Sequence, residues 1–177
     1  MPVSAGFWLW RSRVNSSWRD LAAEAGRVLR ACRRRGLRLA TAESCTGGLI
    51  AGVLTEIAGS SDVVERGFVT YSNDAKHELL GVRQASLAKH GAVSEIVARE
   101  MADGARRRAR VELAVSVTGI AGPGGATPGK PVGLVHFGCA RTGRKTVHKR
   151  RIFKGNRASI RRQAVALALA LLRQAAR

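Results

Sequence analysis

Apolar residues recur at helical spacing in five stretches of this 177-residue chain, and they alternate or run together in five shorter ones. Leu21, Ala25, Val28, Leu29 and Cys32 share one face of a helix. Ser16 or Ser17 can cap it, and it runs to about Arg35, where Gly36 stops it. Residues 37–42 read as a short strand, and 47–58 as a helix with Leu49, Ile50, Val53, Leu54 and Ile57 apolar and Gly59 as its stop. Residues 63–71 are β-branched and aromatic, the signature of a strand. A short helix spans 74–80 before Gly81, and Ser94 caps a longer one to about Arg108 with Val97, Met101 and Ala105 inward. Residues 113–118 form another strand, followed by a loop over 119–131 with five glycines and three prolines. Residues 132–140 and 145–153 predict a hairpin around Arg141–Arg144, and Asn156 caps a last helix. Strands and helices alternate early and a hairpin comes late. The pattern predicts one three-layer α/β/α domain with a mixed sheet over residues 16–177. Residues 1–15 are expected to form a tail, packed or disordered.

Composition narrows the class. The chain is 45% hydrophobic but only 5% aromatic, so the core is built from Ala, Val, Leu and Ile. This excludes a disordered chain and, without a glycine triplet period, a collagen-like one. Three cysteines in no paired spacing give no disulfide framework and fit a reducing, cytoplasmic compartment. The longest apolar run, Ala164 to Leu172, has nine residues, against about 20 for a membrane span. The patch at Phe7–Trp10 is too short for a secretory signal.

The net charge is +19, and it is unevenly placed. Residues 1–40 hold nine basic and two acidic side chains, residues 41–140 ten of each, and residues 141–177 twelve basic and none acidic. Clustered cations can neutralise nucleic-acid phosphates. With no reading motif, solvated helix faces explain them better, and nucleic acid is not expected as a partner.

Candidate chemistry gathers at predicted strand ends. Glu43-Ser44-Cys45-Thr46-Gly47-Gly48 follows a strand and opens a helix. A helix start offers backbone N–H donors, and two glycines let a ligand approach the backbone. Such a turn suits an anion or a developing oxyanion, with Ser44 as nucleophile. The plainer reading makes Ser44 or Thr46 an N-cap. Cys45 is a rival nucleophile, because a helix start lowers a thiol pKa. None of the four histidines sits in a motif beside it, however, and adjacent turn residues point differently. Tyr71-Ser72-Asn73-Asp74-Ala75-Lys76 contributes a candidate base, Lys76, if burial or a nearby cation lowers its pKa. The plainer reading is a solvated lysine. Thr118-Gly119 opens the Gly-rich loop, which has neither Walker nor dinucleotide spacing. Arg157, at the start of the last helix, can clamp a phosphate or simply be solvated. No His, Cys or carboxylate cluster has metal-ligand spacing.

Taken together, AESCTGGLIAGVLTEIAGSSDVVERGFVTYSNDAKHELLGV, HGAVSEIVAREMADGA, and VTGIAGPGG with KPVGLVHFG resemble the CinA C-terminal domain family, the nicotinamide-nucleotide amidohydrolases. The resemblance covers roughly residues 20–175. It implies hydrolysis of nicotinamide mononucleotide to nicotinate mononucleotide and ammonia, in pyridine-nucleotide salvage, without metal or organic cofactor. It places the nucleophile at Ser44, the lysine at Lys76 with Tyr71 beside it as catalytic residues, and a threonine at Thr118. A basic residue at the last helix start, here Arg157, is expected to meet the phosphate. Cys45, Thr46, Gly47, Gly48, Thr118, Gly119 and Arg157 are the expected substrate contacts. The family often carries an acidic residue where this chain has Asn156. Larger CinA proteins place another domain before this one, which 177 residues do not accommodate. A homo-oligomer acting on a small nucleotide is expected. The competing readings are a non-catalytic nucleotide- or nucleic-acid-binding module using the basic termini, and an inactive homologue.

Overall fold

The computed structural model describes residues 17–177; the expected tail at residues 1–15, and Ser16 with it, lie outside them. Six helices are described: α1 (Trp18–Arg33), α2 (Leu49–Thr55), α3 (Asn73–Leu80), α4 (Gln84–His90), α5 (Glu95–Ala109) and α6 (Arg157–Ala175). Five strands are β1 (Leu39–Glu43), β2 (Val64–Val69), β3 (Leu113–Gly119), β4 (Leu134–Arg141) and β5 (Val147–Ile152). They form one sheet in the order β2-β1-β3-β4-β5. β1 pairs in parallel with β2 and β3, and β4 is antiparallel to both β3 and β5. The α/β class, the mixed sheet and the late hairpin are as expected.

Alternation along the strands divides the core. Leu39, Leu113, Val115, Val117, Val135 and Phe137 face α1, α2 and α6. Ala40, Ala42 and Ala114 face α3, α4 and α5. The second face is built from small side chains, so α5 lies close to the sheet. Ser116 Oγ donates to the Ala98 carbonyl and accepts from the Gly138 amide. β1 is buried along its whole length, as a central parallel strand should be. The edges are different. β5 carries Lys149, Arg150 and Arg151, and such charges protect a sheet edge from pairing with another chain.

Local chemistry explains most boundaries. Ser17 and Asp20 form a reciprocal capping box on α1. Ser72, Ser94 and Asn156 cap α3, α5 and α6 by accepting from the amide three residues on. Helix α2 is shorter than its apolar pattern, because Gly47 and Gly48 are left-handed (φ 59° and 91°) and belong to the turn. Helix α4 is absent from the sequence reading. It is seven residues long with no capping side chain. Glu100 of α5 holds it in place, accepting from the Arg83 amide and from Ser86 Oγ.

Two glycines in helices should respond oppositely to substitution by alanine. Gly104 in α5 lies against α3, and a Cβ there would sit 2.0 Å from the Leu80 carbonyl oxygen. Gly104→Ala should destabilise by about 1–3 kcal/mol despite its better helix propensity. Gly52 in α2 has nothing within 4 Å of the added atom, so Gly52→Ala should stabilise by about 0.5–1 kcal/mol. Urea unfolding of the two variants measures both signs.

Candidate active site

The first connection, through α2, covers one face of the sheet, and the second, through α3, α4 and α5, covers the other. The chain therefore reverses direction across the sheet at β1. A crevice opens outside the carboxyl ends of β1, β2 and β3 at this switch point. A cavity of about 240 Å³ occupies it. Ser44 and Cys45 enter from the end of β1, and Tyr71, Asn73 and Lys76 from the end of β2. Thr118, Gly119 and Ala121 enter from β3, Ala92 and Val93 from the segment before α5, and Arg157 from the start of α6. The three polar segments singled out at strand ends thus meet in one place.

Lys76 is 1% exposed. Its Nζ donates to Ser44 Oγ at 3.1 Å, to the Thr70 carbonyl at 2.8 Å and to the Ser72 carbonyl at 3.3 Å. A neutral amine has two N–H bonds and one lone pair. The two carbonyls can only accept, so a neutral Lys76 turns its lone pair toward the Ser44 hydroxyl. Burial drives the chemistry the same way, lowering the Lys76 pKa from 10.5 to about 8. The plain solvated-lysine reading does not survive this geometry. Cys45 is the opposite case. It is buried beside Ser44, and desolvation pushes its thiol up to about 12, outweighing the smaller effects of its own amide and Arg161. It stays a thiol at neutral pH.

Two residues that hold the turn escaped the sequence reading. Glu43 is completely buried, and its carboxylate accepts from the amides of Gly48, Ile50 and Ala51 at 2.9–3.1 Å and from Thr41 Oγ1 at 3.2 Å. It caps α2 from the preceding strand, so most helix-start donors expected for an oxyanion are already taken. The Gly47 amide bonds to the Ser44 carbonyl. Arg161, one turn into α6, donates Nε to the Cys45 carbonyl (3.1 Å) and a terminal nitrogen to the Thr46 carbonyl (2.8 Å). The signal for Glu43 was a carboxylate directly ahead of an uncapped Gly-Gly helix start. For Arg161 the sequence held no signal, because 25 arginines look alike.

Four further expected site residues, Thr46, Gly47, Gly48 and Tyr71, lie around the Ser44–Lys76 pair. Thr46, Gly47 and Gly48 do not line the cavity. Thr46 is buried, and the glycines serve to turn the chain. Tyr71 does not bond to Ser44 or Lys76. It is 62% exposed at the cavity mouth, and its hydroxyl accepts from Arg157 at 3.0 Å. Arg157 also donates to the Gly122 carbonyl at 2.9 Å. Thr118 lies on the cavity wall with Gly119, its hydroxyl donating to the Ala92 carbonyl. Asn156 Oδ1 accepts from the Ser159 amide at 2.9 Å, so the α6 cap is intact without an acidic residue. Among the described residues, no group of three or more His, Cys, Asp or Glu could hold a metal ion.

The family described as the CinA C-terminal domain matches residues 21–176. The chain belongs to the CinA C-terminal domain family. It is 51% identical over 161 residues to a nicotinamide-nucleotide amidohydrolase PncC of Escherichia coli, covering 91% of this chain and 96% of that protein. A nicotinamide-nucleotide amidohydrolase PncC of Enterobacter agglomerans is 50% identical over 85% of this chain and 90% of its own. Among solved structures, a competence/damage inducible protein CihA from Agrobacterium tumefaciens is 51% identical, with a TM-score of 0.84 over 86% of this chain and 93% of its own. A Klebsiella pneumoniae competence damage-inducible protein A is 40% identical, with the same TM-score over 87% and 95%.

In this CinA domain the pH dependence follows from Lys76. If the neutral amine activates Ser44, turnover should rise with pH through about 8. At low substrate the rate at pH 9 should be about tenfold that at pH 7. Stability should move with it. The folded lysine loses its proton near pH 8 and the unfolded one near 10.5, so stability rises across that window. A pH-rate profile flat from 7 to 9 would show that Lys76 does not act as the base.

Proposed function

We propose that this domain hydrolyses the carboxamide of nicotinamide mononucleotide to nicotinate mononucleotide and ammonia, as an amidohydrolase of pyridine-nucleotide salvage. The observation that carries the chemistry is the buried Ser44 Oγ–Lys76 Nζ hydrogen bond at 3.1 Å. The substrate class rests on the PncC relatives, half identical over most of both chains. Ser44 Oγ attacks the carboxamide carbon as its proton passes to Lys76 Nζ. The C=O electrons move onto oxygen, forming a tetrahedral oxyanion. Its collapse breaks the C–N bond, Lys76 returns the proton to the leaving nitrogen, and ammonia departs. Water then gives a proton to Lys76 and adds to the acyl-Ser44 carbon. Collapse releases the carboxylic acid and restores the serine hydroxyl.

Arg157 and Tyr71 supply recognition at the mouth. Two of the five N–H donors of Arg157 are committed to Gly122 and Tyr71. The remainder suit a bidentate phosphate contact, and the Tyr71 ring stands beside the path to Ser44. Tyr71 is thereby a substrate-binding residue. The reading includes a cytoplasmic homo-oligomer. Three buried, unpaired cysteines support a reducing compartment. Val69, half exposed on the β2 edge of the sheet, supports association. Among the described residues, no helix is long and apolar enough to cross a membrane.

Ammonia release from the mononucleotide, free nicotinamide and glutamine tests the substrate. Ser44→Ala should lower kcat by about 10³-fold or more with the fold intact. Cys45→Ala should stay within about tenfold, and the reverse ranking would move the nucleophile to Cys45. Lys76→Arg should be nearly as inactive as Lys76→Ala, because guanidinium does not give up its proton. Arg157→Ala should lower kcat/KM for the mononucleotide and change little for the phosphate-free riboside. Equal losses on both substrates would remove the phosphate assignment.

A further inference from the structure

The nucleophile turn is held from two sides, and this fixes which backbone donors remain near Ser44. Glu43 takes the amides of Gly48, Ile50 and Ala51. The Gly47 amide is turned back onto Ser44, and the Ser44 amide onto the Val117 carbonyl. The Cys45 amide lies against its own thiol, and the Thr46 amide has no acceptor among these. It belongs to the same peptide unit as the Cys45 carbonyl, which Arg161 holds at 3.1 Å. In a trans peptide the N–H and C=O point in opposite directions. Pinning the carbonyl onto Arg161 therefore turns the Thr46 N–H away from that guanidinium. A guanidinium charge on the carbonyl oxygen also polarises the unit and strengthens its N–H as a donor. The second fork of Arg161, on the Thr46 carbonyl at 2.8 Å, stops the turn from rotating about this contact. Other residues near the site have stated tasks. Thr118 is bonded to Ala92, Arg157 to Gly122 and Tyr71, and Lys76 to Ser44 and two carbonyls. Arg161 alone among the cations here is bonded to the nucleophile turn and absent from the cavity lining.

We propose that Arg161 is a positioning residue for the reaction: by clamping the Cys45 and Thr46 carbonyls it aims the Thr46 amide at the oxyanion that forms when Ser44 attacks. The proposal rests on the Ser44 acyl-transfer reading. It also identifies the donor more narrowly than a helix start does, because the amides of Gly48, Ile50 and Ala51 are bonded to Glu43 and that of Leu49 to the Thr46 carbonyl. Arg161 touches neither substrate nor reacting atoms. Its contribution is confined to states in which negative charge has developed on the carboxamide oxygen. Ground-state binding of the pyridine nucleotide should be indifferent to it.

The test uses Arg161→Met, which removes the fork and the charge, and Arg161→Lys, which keeps the charge on one donor. Removing an oxyanion donor typically costs about 10²–10³ in kcat; misaiming one should cost Arg161→Met about tenfold to a hundredfold, and Arg161→Lys less. KM for the mononucleotide and the inhibition constant of nicotinate mononucleotide should stay within about twofold. Inhibition by pyridine-3-boronic acid, which forms a tetrahedral anion on a nucleophilic serine, should weaken in step with kcat. A merely structural role predicts otherwise. Unchanged kcat, boronate inhibition unaffected while kcat falls, or equal weakening of product and boronate would each overturn the proposal. If Arg161→Met does not fold, the same comparison is made with Arg161→Lys and Arg161→Gln. A wild-type chain that releases no ammonia from the mononucleotide would sink the functional reading instead. Wild-type activity matched by the Arg161 variants would sink only this inference.

Discussion

A buried carboxylate with four donors organises the centre of this domain. Removing an ionised carboxylate from water costs several kcal/mol unless hydrogen bonds replace its hydration. Glu43 recovers that cost from three backbone amides and one hydroxyl. Those same amides are the ones a helix start would otherwise leave unpaired. One interaction thus ends β1, starts α2 and fixes the direction of Ser44 between them. Loss of the carboxylate would strand donors in the core. The orientation of Ser44 is therefore tied to the stability of the layer behind it.

On the other side of Ser44 stands a second buried ionisable group. Lys76 reaches the site from α3, across a turn that caps itself through Ser72. Its two carbonyl acceptors come from Thr70 and Ser72, in the segment joining β2 to α3. Ser44 and Lys76 thus follow the carboxyl ends of neighbouring parallel strands, at the point where the chain changes faces. The small residues on the α5 side of the sheet allow that helix and the segment before it to close over the crevice.

The excess of arginine is in part a set of carbonyl clamps. Arg33 donates to the Gly59 carbonyl, Arg99 to Thr146, Arg141 to Ala175, Arg157 to Gly122 and Arg161 to Cys45 and Thr46. Each ties a loop or helix end to a distant element, where a planar guanidinium offers several donors at once. In the last helix Arg157 and Arg161 serve the cavity mouth and the turn, and Arg173 pairs with Glu24. That accounts for a share of the charge without a polyanionic partner.

Much of this was legible in the chain itself. Alternating apolar positions gave the strands, serines and Asn156 marked the helix starts, and the motifs around Ser44, Lys76, Thr118 and Arg157 stood at strand ends. These follow from local chemistry, which a sequence displays directly. The identity of the α2 cap was decided by burial, because a glutamate on a strand reads the same whether its carboxylate meets water or three amides. Tyr71 went to the mouth because Arg157, 86 residues later, offers its hydroxyl a donor. The role of Arg161 likewise exists only once α6 lies against the turn, 115 and 116 residues from the carbonyls that it holds. Composition could not single out one arginine among 25, since the acceptors that distinguish it are backbone atoms with no letter in the sequence.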